Sequence, residues 1–114
     1  MPEKANPLKL NMLQLKTLAI LQELARHRET STADEARGER LITLLPQPHG
    51  DHIHVGRRVA LTRDASGLWN QAVWIALERK GLARGNFPVA IALTPAGIAY
   101  DTGPAGRVLH GSDH

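Results

Sequence analysis

The chain contains no cysteine. That absence removes disulfides, thiolate zinc sites, iron–sulfur clusters and cysteine nucleophiles from consideration, and it fits a reducing, cytoplasmic setting. Aromatic side chains are almost as scarce. Trp69, Trp74, Phe87 and Tyr100 are all there are, so Leu, Ile, Val and Ala must fill any core. No apolar run is long either: Lys16, Gln22 and Arg26 interrupt the longest stretches, well short of the ~20 residues of a membrane span. The segment from Met1 to Lys9 lacks the apolar region of a secretory signal. Gly-x-Ser-x-Gly, phosphate-loop and dinucleotide glycine motifs are all missing, and Ser66 and Ser112 stand beside no obvious base. Neither an enzyme nor a bound cofactor is expected.

What is present suits one globular domain: 114 residues, 42% hydrophobic and 22% charged. The net charge of +3 is uneven. Between residues 51 and 84, Arg57, Arg58, Arg63, Arg79, Lys80 and Arg84 face only Asp51, Asp64 and Glu78. Such an excess attracts polyanions modestly, and on charge alone a solvated face on a slightly basic domain is the simpler account.

Local patterns predict most of the elements. Asn11, with Gln14 three residues on, forms a capping-box signal ahead of a helix over 12–27. In that helix Leu13, Leu18, Ile20, Leu21, Leu24 and Ala25 recur at helical spacing. The apolar stripe exceeds what one small core needs, which predicts a homodimer formed through the 12–27 helix. Residues 28–40 have no stripe and read as a mobile loop or weak helix, ahead of an apolar stretch over 41–45 that Pro46 stops. His52–Val55 and Arg58–Thr62 alternate about Gly56-Arg57, the signature of a β-hairpin. A second helix is expected from Leu68 to Lys80, followed by two strands around Gly85–Pro88. Thr94-Pro95 then caps a short third helix. From Asp101 onward Gly, Pro, Ser, Asp and His dominate, so 1–101 reads as the domain and 102–114 as a disordered tail.

Two phrases stand out, Arg79-Lys80-Gly81-Leu82 and Leu93-Thr94-Pro95-Ala96-Gly97. With the helix before the first and the strand pair between them, residues 66–100 resemble the second half of a winged helix-turn-helix domain of the multiple-antibiotic-resistance regulator type. The resemblance implies an α+β winged helix and a DNA-binding transcriptional regulator. Asn70, Gln71 and Trp74 would enter the major groove, and Arg57, Arg58, Arg63, Arg79, Lys80 and Arg84 would meet phosphates of double-stranded DNA. Trp69 would then be the tryptophan that packs inside. The chain departs from that pattern over residues 49–63, which are extended where a short helix belongs, and its wing carries one cation. Glu78 on the reading helix would oppose phosphates. These departures leave open a winged-helix module that binds protein instead.

A third, remote reading is metal-responsive. His49, His52 and His54 have ligand chemistry, and His52 and His54 would point the same way from a strand. A solvent-facing polar edge explains them more simply.

Overall fold

The capping box forms as its residue types demand. Asn11 Oδ1 accepts from the Gln14 backbone N–H at 2.8 Å, and Gln14 Oε1 accepts from that of Asn11 at 2.9 Å. It starts helix α1 (Met12–Ala25) in the computed structural model, which describes residues 6–48 and 50–111. Thr17, Leu18, Ala19, Ile20 and Leu21 are buried consecutively, more than one full turn. Over that run the helix is covered on every side. The stripe invoked for a dimer is therefore consumed within the chain, and α1 leaves only Met12 and the partly open Leu13, Gln14, Lys16 and Gln22 toward solvent.

The C-terminal carbonyls of α1 are sealed by the segment that follows. Thr30 Oγ1 donates to the Leu24 carbonyl at 2.7 Å, Ser31 Oγ to that of Ala25 at 3.1 Å, and Arg40 Nε to Ala25 at 2.9 Å. The guanidinium also complements the negative end of the helix dipole. Residues 28–40 are thus neither a mobile loop nor a weak helix, and with the start of the apolar stretch that follows they form strands. They build a hairpin, β1 (Ser31–Asp34) and β2 (Glu39–Ile42), in register Ser31↔Ile42. The stretch has no apolar stripe because β1 is an edge strand held by backbone pairing and by Ser31.

The expected second hairpin is present as β3 (His52–Val55) and β4 (Arg58–Leu61). Gly56 sits at φ 62 in its turn, with Ile53, Val55 and Ala60 fully buried. Alternation predicts Val59 and Leu61 beside Ile53 and Val55, but the register sets Ala60 opposite Ile53 and turns Val59 and Leu61 to the other face. Helix α2 (Gln71–Arg79) leads into β5 (Ala83–Asn86) and β6 (Ala90–Leu93), then α3 (Pro95–Ala99). All pairings are antiparallel, in the orders β1-β2-β6-β5 and, with β7 (His110–Gly111), β3-β4-β7. Helix α1 packs against both sheets. The fold is an α+β domain of helices and two small antiparallel sheets.

The two sequence phrases prove to be one joint. Gly81 adopts φ 76, Thr94 N–H donates to the Leu82 carbonyl at 3.1 Å, and Thr94 Oγ1 donates to that of Gly81 at 2.7 Å. Thr94 Oγ1 also caps α3 by accepting from Gly97 N–H at 3.1 Å. Gly97 is required because a Cβ there would overlap the Leu82 carbonyl oxygen.

The disordered tail is the clearest correction. Residues Gly103–Val108 form a 3-10 helix against α1, with Ala105 and Val108 buried, and β7 pairs with β4. Ala105 and Val108 lie three apart, the spacing that puts two side chains on one side of a 3-10 turn. Composition masks that signal. No helix among the described residues is long and apolar enough to cross a membrane.

Candidate nucleic-acid interface

The approach to α2 is fixed by a tight contact. A 3-10 turn, Ser66–Trp69, lies on α1 so closely that a Cβ on Gly67 would overlap Thr17 Oγ1. Asn70 follows in extended conformation, and its side chain accepts from Ala72 N–H at 3.0 Å. The α-helix therefore begins at Gln71 rather than Leu68, and Asn70 is its N-cap.

That offset decides which tryptophan lies inside. Trp74 is 1% exposed, and its indole N–H donates to the Leu68 carbonyl at 3.1 Å. Its ring meets Phe87 edge-on, centroids 4.8 Å apart at 85°. Gly85 on β5 leaves it room, since a Cβ there would lie 2.9 Å from Trp74 Cε3. Trp74 cannot reach a groove. The expected roles are reversed: Trp74 is the packing residue and Trp69 the partly exposed one.

Two further residues are occupied. Arg84 grips Glu39 on β2 through Nη2 and Nε, at 2.7 and 3.1 Å, so the wing's one cation is already neutralised. Hydrogen bonds from that guanidinium hold the Glu39 carboxyl below its usual range, against an opposing push from desolvation. Glu78 accepts from Gly85 N–H at 2.7 Å, so its carboxylate joins α2 to β5.

With Val73, Trp74 and Leu77 inside, the outer face of α2 is Gln71, Ala72, Ile75 and Arg79, followed by Lys80. Arg63 is exposed on the 3-10 turn Thr62–Asp64 shortly before α2. Arg63, Arg79 and Lys80 make no ion pair among the described residues. Periodicity counted from Leu68 puts Ala72 and Ile75 on the inner side, but both are exposed, and Gln71, Ile75 and Arg79 share the outer face by i, i+4 spacing once the helix start is known.

A comparison of the chain with family models, curated proteins and solved structures finds no match. The site stands on its own geometry.

That geometry separates the remaining cations. Arg57 lies in the β3–β4 turn and Arg58 follows it at the start of β4, and a Cβ on the turn's Gly56 would overlap the His27 ring. His27 lies just beyond Ala25, and Ala25 is about 12 Å of helix rise from Thr17, where the approach to α2 begins. The six cations of residues 51–84 do not form one patch. On β3, the His52 and His54 rings lie 5.2 Å apart at 79°. His49 lies outside the described residues, and no trio of His, Asp or Glu among those described is placed to hold a metal.

Proposed function

We propose that this chain is a winged-helix DNA-binding domain, acting in transcriptional regulation, that presents the outer face of α2 to duplex DNA. The observation that carries the reading is the absence of free carboxylate from that face. The one acid of α2, Glu78, is turned onto Gly85 N–H, and Gln71, Ala72, Ile75 and Arg79 are what remains. Gln71 has the amide geometry for an adenine edge, Ile75 an apolar surface for a thymine methyl, and Arg79, Lys80 and Arg63 are phosphate partners. The hairpin that follows α2, with its return strand β6 inside the sheet, supports the winged-helix assignment.

Mixed-sequence duplex binding across a salt series tests it. Three phosphate contacts give a log–log slope of about −3, and Arg79→Ala with Lys80→Ala flattens it by about 2. Gln71→Ala should relax sequence preference without changing the slope. No binding at about 50 mM salt sinks the proposal, because the electrostatic term is strongest there.

A second reading has its own observation. Ile75 is 38% and Val89 67% exposed, apolar side chains on α2 and on the wing that suit a protein partner. If Ile75→Asp abolished capture of a protein ligand while DNA binding stayed absent at low salt, this reading would replace the first.

A further inference from the structure

At the end of α1 remote from the approach to α2, two arginines from different elements line one cleft of about 220 Å³. Arg26 closes α1 and Arg58 opens β4. Glu23 is the one acid in the lining, and its carboxylate is occupied. It accepts from Arg26 Nη1 at 3.1 Å and shares a hydrogen bond with His27 Nε2 at 2.9 Å, with 8% of its side chain exposed. Arg58 is exposed and makes no ion pair among the described residues. The amide of Gln22 is committed to the Gly97 and Tyr100 carbonyls, at 2.9 and 2.8 Å. Thr102 adds a hydroxyl, and Ala19 and Leu109 supply apolar surface that lowers the local dielectric.

The balance is two guanidiniums against one carboxylate that is already paired. Guanidinium forks match the oxygens of a phosphate group bidentately, and a partly enclosed site strengthens such bonds over those in open water. The cleft is too small for a duplex and has room for a compact anion. We propose that it binds inorganic phosphate or a small phosphate monoester, with Arg58 and Arg26 as the cationic walls. Thr102, Gly106 and Leu109, in and beside the Gly103–Val108 turn that packs on α1, also line the cleft, so occupancy tightens that segment onto α1. The proposal makes no use of α2 and goes beyond the DNA-binding reading.

Backbone amide shifts of the full chain, followed during titration with inorganic phosphate at constant ionic strength set by chloride, test it. The expected result is saturable shifts at Arg26, Arg58, Thr102 and Gly106, with slower amide exchange at Val108. Arg58→Ala should weaken binding at least about tenfold, and Arg58→Lys should recover part of the loss, since a lysine keeps the charge without the fork. Arg58 is exposed and has no ion pair to lose among the described residues, so melting curves of its two variants should match the parent. Arg26→Gln, which also takes a partner from the buried Glu23, provides an independent check on binding. Arg79→Ala with Lys80→Ala should leave phosphate binding intact, which separates this site from the α2 face. Shifts that chloride alone reproduces overturn the proposal. So does unchanged affinity in both Arg58→Ala and Arg26→Gln, or loss of binding only in the α2 variant.

Discussion

Gly97 and Gly81 belong to the same joint and answer to different physics. At Gly97 the backbone conformation is ordinary and the space is occupied, because an added methyl meets the Leu82 carbonyl. At Gly81 the space is open and the conformation is the obstacle, with φ at 76. Gly97→Ala is therefore expected to destabilise by roughly 1–3 kcal/mol through forced displacement of α3, and Gly81→Ala by roughly 1–2 kcal/mol through a left-handed backbone. Chemical denaturation of the two variants measures both. The Glu39–Arg84 pair gives a pH prediction. A carboxyl whose folded-state pKa is depressed contributes stability above the unfolded carboxylate range, and that contribution is lost as pH falls through the folded value. Arg84→Ala should bring the Glu39 titration back toward the ordinary glutamate range in carboxyl NMR, and the acid limb of the stability profile should shift less steeply than in the parent. The sequence names the joint because Lys-Gly-Leu and Leu-Thr-Pro-x-Gly are local. It is silent on Glu39–Arg84, whose partners lie 45 positions apart.

Among the elements, α2 shows how one local offset redirects a site. Counting a helix from Leu68 turns Trp74 outward. A 3-10 turn and an N-cap at Asn70 turn it inward, and the indole then takes up the Leu68 carbonyl. The start of α1 was legible because its cap and stripe are contiguous, and the β3–β4 hairpin because alternation and a turn glycine coincide. Hairpin β1–β2 was not, since edge pairing needs no apolar stripe. The C-terminal 3-10 segment was missed because a glycine- and proline-rich composition outweighed Ala105 and Val108. Truncation after Asp101 is accordingly expected to cost a few kcal/mol, visible as a lower thermal midpoint. A disordered tail would be removed without effect. Asn11→Ala should cost about 1 kcal/mol through loss of the cap, and should be measured beside Gln14→Ala, which removes the reciprocal bond.

At the scale of the molecule, one helix organises everything else. Leu18, Ile20, Leu21 and Leu24 are wholly buried and touch elements from both halves of the chain. Hydrogen exchange should find their amides opening only with global unfolding, and those of the edge strand β1 opening first. The anchoring of Tyr100 makes the same point over the longest-range side-chain hydrogen bond among the described residues. Its hydroxyl donates to Asn6 Oδ1 at 2.6 Å and accepts from Leu8 N–H at 3.0 Å, across 94 and 92 residues. During synthesis α1 leaves the ribosome before any of the strands that will enclose it. Asn6 must wait for 94 further residues to appear before its partner exists. A chain cut short before Tyr100 already has the strands and the helix that pack on α1, but Asn6 and Leu8 have no hydroxyl to close on, so the segment ahead of α1 is expected to seat last.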